Sequence, residues 1–406
     1  MLAAARSGEG ADMLSVSEAI ATLLGRAQCL VGTEACGLLD ARGRTLAGEV
    51  VAGIDVPPAD NSAMDGYAFR HADWKAATAT LRLSQRVTAG SSPAALEAVT
   101  AARIFTGAEI PRGADTVVMQ ERCEGSETSV RILELPTLGA NIRRRGQDIE
   151  RGQRVLTAGQ RLRSQDLGLA ASLGCASVPV YRRLRVAILS TGDELIEPGE
   201  RAGPGQIYNS NRFTMKGQLD AWGFDVVDLG VARDSPDAVR ESMTRAAERA
   251  DVIITSGGVS VGEEDHVKGV VESLGSLDLW RIAIKPGKPF AFGEVLGKPF
   301  VGLPGNPVSV FVTLMIIARP YLFACQGARD CLLKPLTAVA GFSKRGSTRE
   351  DYLRVRETEH GLELFANQSS GVLTSTCWAD GLVRQKVAED IVAGGLVDYL
   401  PFGVFN

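Results

Sequence analysis

Helical spacing opens the legible part of the chain. In SVSEAIATLL, from Ser15, the apolar residues Val16, Ala19, Ile20, Leu23 and Leu24 fall on one helical face. Ser15 and Glu18 stand at capping-box spacing, so a helix is expected from about Val16 to Gly25. A short segment leads on to about Val51. From Val51 to about Gly152 the helical period is lost. Short β-like runs, TVVMQE and SVRILEL, alternate with turn-rich stretches such as VPPADNSAMDGY, TAGSSP and RGQDIERG. This pattern predicts a compact, mainly β domain with polar residues on its loops.

From Arg185 to about Gly327 the pattern becomes α/β. RVAILS and DVIITSGG are continuous apolar runs of strand length, and FDVVDLGVARD is a further strand. NRFTMKGQLDAW and SPDAVRESMTRAAERA are helical, the second with Ser235 as N-cap and Pro236 in its first turn. Another helix is expected from about Asp265 to Leu274, then RIAIKPGKPFAFGEV, a strand at FVGLP and a long helix from Pro307. Apolar strands alternating with helices predict a parallel sheet covered on both faces. After about Leu332, DYLRVRE, LELFAN and VDYLPF predict a small β-barrel or sandwich.

The composition of the 406 residues, 45% hydrophobic and 23% charged, is that of an ordinary globular protein, and the length calls for two to four domains. A formal net charge of -4 gives no support to nucleic-acid binding. The longest apolar run, Val308 to Ala318, is too short to span a bilayer, and no secretory signal is evident. The seven cysteines form no CxxC pair and read as reduced thiols of a cytoplasmic protein. With only His71, His266 and His360 available, a histidine-rich metal centre or a Ser-His-Asp triad is disfavoured. Chemistry here has to run on carboxylates, lysines, arginines and backbone amides.

Ligands of open parallel sheets sit at the strands' carboxyl ends. Three glycine loops hold that position: STGDEL, SGGVSVGEEDH and GLPGNPVS. Singly each reads equally as a turn; together on one sheet edge they suit an anion, since glycine exposes backbone amides. Beside them stand Asp193, Glu194, Glu263, Glu264 and Asp265, with Asp234 after another strand. Acids next to anion loops point to Mg²⁺, which bridges carboxylates and phosphates. Asp265 and Asp234 read equally as helix caps. In IKPGKP, Lys285 and Lys288 flank a Pro-Gly turn and are either diphosphate ligands or solvated turn lysines. In the β region, Arg143, Arg144 and Arg145 before Gly-Gln-Asp148 form either an oxyanion loop or a solvated face.

DNSAMDGYA, NIRRRG-D, STGDEL, G-IY-SN, TSGGVSVGE-D, AIKPGKP, GLPGNPVS and NQSSGVLTSTCWADGL occur in one order. Together they resemble the molybdopterin molybdenumtransferases of the bacterial MoeA type, related to the second domain of gephyrin, from about Leu14 to the C-terminus. The resemblance implies insertion of molybdenum from molybdate into molybdopterin-adenylate, with a divalent cation, usually Mg²⁺, and release of AMP. It implies a cytoplasmic homodimer whose β domain faces the partner subunit's α/β domain. The adenylyltransferase of the same pathway, and molybdoenzyme apoproteins or their chaperones, are the implied partners. The implied layout is an α/β molybdopterin-binding domain (1–26 and 184–330), a linking domain (27–51 and 153–183), an inserted β domain (52–152) and a C-terminal β-barrel (331–406).

Residue by residue, the resemblance gives Asp65, Thr106, Asp148 and Arg143 roles with molybdate or nucleotide across the dimer. Glu194, Asp234 and Asp265 bind Mg²⁺ or pterin, and Lys285 and Lys288 stabilise phosphate charge. Thr191, Gly192, Asp193, Ser256, Gly257, Gly258, Ser260, Gly262, Pro304, Gly305, Asn306 and Pro307 bind the cofactor. The two prolines chiefly shape their loop, and Ser375 and Arg349 are further partners of the site. Arg281 stands where some relatives have lysine, so the charge is kept but not the geometry. CinA-like nucleotide pyrophosphatases share the α/β domain but lack the DNSAMDGYA region. A pterin-binding scaffold is the rival of another class, and only the transferase predicts AMP release that depends on molybdate.

Overall fold

The computed structural model describes residues 13–76, 79–258 and 266–405. Helix α1 (Val16–Arg26) forms with the expected capping box: the Ser15 hydroxyl accepts from the Glu18 amide, and the Glu18 carboxylate accepts from the Ser15 amide at 2.8 Å. The chain then leaves for the linking segments and the β region before returning at Arg185. Strand Thr33–Gly37 pairs antiparallel with Ser177–Tyr181, and Val50–Val51 pairs with Arg154–Leu156. Cys36, Leu46, Ile149, Leu162 and Val178 fill the core between them. The pairing partners lie more than a hundred residues apart, so local pattern shows only a featureless segment up to Val51.

Between the linking segments, six strands from Gly66 to Ile132 make one sheet around Phe69, Leu81, Val118 and Val130. Further on, the α/β region runs β1 (Arg185–Thr191), α2 (Ser210–Ala221), β2 (Asp225–Ala232), α3 (Pro236–Arg249), β3 (Val252–Ser256) and α4 (His266–Leu274). It continues through β4 (Gly275–Arg281), β5 (Pro289–Val295), β6 (Lys298–Leu303) and α5 (Pro307–Thr313). The sheet order is β2-β1-β3-β6-β5-β4.

The apolar runs are explained by burial on two faces. Val186 and Ile188 of β1 enter one cluster with Leu23, Val301 and Leu322, while Ala187 and Leu189 enter the other with Val239, Met243 and Val271. The sheet is mixed, however, and not wholly parallel. β5 is antiparallel to both β6 and β4. Only Leu296 and Gly297 separate β5 from β6, both at positive φ (49° and 78°). Two residues can join antiparallel strands but cannot make a parallel crossover.

Past α5 the helix continues through a π-helical turn, Leu314–Ala318, into Arg319–Cys325. The stretch Pro307–Cys325 is long and apolar enough to cross a membrane by length and composition, yet 89% of it is buried inside the fold. It is the central core helix. In the C-terminal region the strands Leu336–Val339, Leu396–Pro401, Gly381–Gln385 and Glu350–Thr358 are neighbours, with Gly361–Leu364 on the last of them. A bridge between Ala340 and Leu362 draws the ends of this sheet together. Ile284–Lys285 also joins it, parallel to Glu350–Asp351, so the lysine loop is shared with the α/β region.

Candidate functional site

A cavity of about 940 Å³ opens at the carboxyl ends of β1, β3 and β6. The first wall comes from the end of β1 and the loop leading into α2. Thr191 and Glu194 line it, as do Ile207, Tyr208, Asn209 and Asn211 at the start of α2. Gly192, at φ +139°, turns the chain so that a Cβ there would meet the Glu194 carboxylate at 2.4 Å. Asn209 is buried; its Oδ1 accepts from the Arg212 amide and from the Ser190 hydroxyl, each at 3.3 Å. Its Nδ2 has no hydrogen-bond partner among the described residues.

Ser256 at the end of β3 and Gly257 and Gly258 just after it give the second wall. Both glycines have positive φ (87° and 67°), and a Cβ on Gly258 would lie 2.4 Å from Val267 Cγ2. The backbone therefore lies close against α4, a course open to glycine and strained for other residues. Ser260, Gly262 and Asp265, with Glu263 and Glu264, lie outside the described residues. Pro304, Gly305, Asn306 and Pro307 make the third wall, before and at the start of α5. Asn211 Nδ2 donates to the Gly305 carbonyl at 2.7 Å and Asn306 Nδ2 to Ser370 Oγ at 3.1 Å, so this loop is tied on both sides.

Lys285 and Lys288 close the cavity from the shared loop, with Arg349 and the Gln368–Gly371 turn of the C-terminal region beside them. The buried Asp351 carboxylate holds Lys344 Nζ at 2.8 Å and stands 3.9 Å from Lys285 Nζ. Arg349 donates to the Ile284 carbonyl at 3.3 Å. Three cationic groups, Lys285, Lys288 and Arg349, thus line the cavity together with the glycine loops and Glu194 of the first of them.

Other expected residues lie off this wall. Asp193 spends one carboxylate oxygen on the Asp234 amide at 3.0 Å, linking the loops after β1 and β2. Ser235, not Asp234, caps α3, accepting from the Ala238 amide. Ser375 is buried and bonded to Arg354 Nε at 3.2 Å, so it supports the C-terminal core and does not reach the cavity. Among the described residues no three His, Cys, Asp or Glu side chains gather to hold a metal ion. The cysteines are all free thiols, with Cys36, Cys325 and Cys331 buried.

The β region holds a second set. Asp65 Oδ1 accepts from the Thr106 amide at 2.7 Å and from its hydroxyl at 2.8 Å. The amide first, then the hydroxyl and the charge of Arg103, keep the Asp65 carboxyl below its ordinary range. Of the three arginines, Arg144 pairs with Asp60 and Arg145 with Asp55, each at 2.6 Å. Those two hold the loop together. Arg143 and Asp148 are exposed and have no ion pair among the described residues. Neither set lines the cavity within one chain.

The signal that points to Tyr208, Asn209 and Asn211 is in QIYNSN, where an asparagine stands one residue before a helix whose strand ends in a glycine loop. The contribution of Arg349 and Ser370 depends on pairing between residues 284–285 and 350–351, which no local pattern announces.

Comparison with known proteins agrees with this architecture. Residues 14–174 match the MoeA N-terminal region (domain I and II), and residues 187–324 match a probable molybdopterin binding domain. A molybdopterin molybdenumtransferase of Haemophilus influenzae is 42% identical over 347 residues, 84% of this chain and 85% of the relative. That of Synechococcus elongatus is 34% identical over 401 residues, 94% and 98% of the two chains. A solved molybdopterin biosynthesis MoeA protein from Pyrococcus horikoshii superposes with a TM-score of 0.83 at 26% identity, covering 96% of this chain and 99% of that one. Extensive identity over both chains, shared domain matches and a shared backbone course lead to one conclusion: this chain belongs to the molybdopterin molybdenumtransferase family.

Proposed function

We propose that the protein transfers molybdenum from molybdate to adenylylated molybdopterin and releases AMP, acting as a homodimer. Membership of the family supports the reaction. The observation that carries it to particular residues is the cavity, where three glycine loops and two lysines converge on one sheet edge. The Gly257 amide is spent on the Leu303 carbonyl at 3.1 Å, but those of Gly258 and Gly305 suit phosphate oxygens, and Lys285 and Lys288 suit charge that grows as the phosphoanhydride breaks. Asn209, with an unpartnered amide nitrogen, offers a donor for the pterin.

Mg²⁺ keeps several waters and takes one or two carboxylates plus phosphate oxygens, so it needs no preformed cluster. Glu194 on the wall is the carboxylate that would hold it, and Asp234 is tied to the same loop through Asp193. When bound, the ion would offset charge on the pyrophosphate. Asp65, Thr106, Arg143 and Asp148 are read as the portion supplied to the partner subunit's cavity.

The test is AMP release from molybdopterin-adenylate by the purified protein, with and without molybdate and with and without Mg²⁺. Release that requires both is expected. Tight binding of the adenylate with no release under any combination would replace the transferase by a binding protein.

A further inference from the structure

A second cleft, of about 740 Å³, lies at the opposite edge of the sheet, before the starts of β1 and β2. Arg42, Arg44, Arg161, Arg163 and Arg183 line it, and no acidic side chain among the described residues does. It shares no residue with the cavity described above. We infer that this cleft is a binding site for a tetrahedral oxyanion of the phosphate class, held by Arg42, Arg161 and Arg183 where the linking segments meet the α/β core.

Two of the five guanidinium groups already have carboxylate partners: Arg44 pairs with Glu34 and Arg163 with Asp166. The other three have none among the described residues. Among the described residues Arg161 donates only to backbone carbonyls, from Nε to Gly43 at 3.2 Å and from Nη2 to Trp222 at 3.1 Å. Arg183 donates from Nη1 to the Gly223 carbonyl at 2.8 Å. Arg42 is exposed and makes no ion pair. Capping the carboxyl end of α2 accounts for part of what Arg161 and Arg183 do. It leaves the remaining N–H donors of each fork unused, since a guanidinium carries five.

The charge is also crowded. Behind the cleft, the buried Arg319 and Arg161 both stack on Phe323, 4.7 and 5.0 Å from the ring centroid. Arg319 Nε has no hydrogen-bond partner among the described residues. Burial and then Arg161 push the Arg319 guanidinium down to about 10, and burial and then Arg42 lower Arg161 as well. Like charges gathered without a counter-ion destabilise the fold, and a bound dianion offsets that repulsion. Arginine forks match the oxygen spacing of tetrahedral anions. The backbone is shaped for this arrangement. Gly43 and Gly223 have positive φ (76° and 83°), and a Cβ on Gly223 would crowd Arg183 Nη1 at 3.2 Å.

Calorimetric titration of the full chain with inorganic phosphate tests the inference, and a parallel titration with molybdate separates phosphate-bearing ligands from tetrahedral dianions in general. Arg42→Glu, at an exposed position with no ion pair among the described residues, removes one of the crowded like charges, so it is expected to melt no lower than the wild type and to weaken phosphate binding about tenfold or more. Arg42→Lys should retain most of the affinity. Lys288→Ala, in the other cavity, should leave this binding unchanged. Equal weakening with both anions assigns the cleft to dianions at large, and weakening with phosphate alone assigns it to a phosphate-bearing ligand. Phosphate affinity that Arg42→Glu leaves intact, or that Lys288→Ala alone abolishes, would overturn the inference.

Discussion

Asp65 shows how one residue's chemistry follows from two donors on a neighbouring loop. Its carboxylate takes the Thr106 amide and hydroxyl on the same oxygen, and both favour the charged form. Thr106→Val removes the hydroxyl and keeps the amide. The Asp65 carboxyl should then move part of the way up toward its ordinary value, as read by carbon NMR of the labelled carboxyl against pH. An unchanged titration would assign the whole effect to the amide and to Arg103. Asp251 makes a stability argument of the same kind. Burial raises its carboxyl, but the two-pronged bond from Arg182, both contacts at 2.8 Å, and the Arg185 amide leave it lowered overall. A depressed folded value means that stability from this group is fully present above the unfolded value of about 3.9 and is lost as pH falls through the folded one. Arg182→Met should therefore destabilise the protein by about 3 kcal/mol at pH 7, with the gap to wild type closing as pH falls through the folded value of Asp251. Urea unfolding followed by tryptophan fluorescence at pH 7 and in acid measures this, and an equal loss in both would assign Arg182 to packing.

At the scale of elements, the lysine loop depends on one glycine. Gly287 sits at φ +110°, and a Cβ there would lie 2.4 Å from Thr313 Cγ2 on α5. Gly287→Ala should cost about 1–3 kcal/mol, lower the melting temperature and displace Lys285 and Lys288 from the cavity. Adding Thr313→Ser removes the clashing methyl but keeps the hydroxyl bond to the Ser309 carbonyl, so it should recover part of the melting temperature and not all, because the backbone strain stays. Full recovery would show that φ at 287 carries no penalty. The same loop marks where the sequence stopped being legible. Elements with a strong local period and a chemical terminus, α1 with its capping box and α3 with Ser235 and Pro236, stand where the pattern puts them. The antiparallel β5 escaped because a two-residue Leu-Gly turn resembles any loop, and an apolar run reads alike in either direction. Within the site, the glycine loops could be read from composition. The contributions of Arg349 and Ser370 could not, since they depend on strand pairing sixty-six residues away in the chain. The arginine run was legible as charge. Its division, with Arg144 and Arg145 pairing with Asp60 and Asp55 and Arg143 without an ion pair among the described residues, is set by partners more than eighty residues earlier in the chain.

At the scale of the whole molecule, the two polar sets are separate within one chain, and this separation is what the dimer reading has to explain. Lys288 lines the cavity between the α/β and C-terminal regions, whereas Asp65 and Thr106 stand on loops beside the β sheet and do not line it. If one active centre draws Lys288 from one subunit and Asp65 from the other, defects in the two residues complement across a twofold axis. Asp65→Asn and Lys288→Ala homodimers should each lose nearly all molybdate-dependent AMP release. Mixed in equal amounts with subunit exchange verified by mass, half the dimers carry one copy of each. Each such dimer has one intact centre and one with both defects, so the mixture should recover about a quarter of wild-type turnover. Lys288 changes the cavity wall and Asp65 does not, so substrate binding separates their effects further. Lys288→Ala should weaken adenylate binding, while Asp65→Asn should leave it nearly intact and reduce turnover. Homodimers that fail alone and fail equally when mixed would place both residues in a centre made by a single chain. The β sheet would then have to swing toward the cavity of its own subunit, a movement that small-angle scattering with and without bound adenylate would register as compaction.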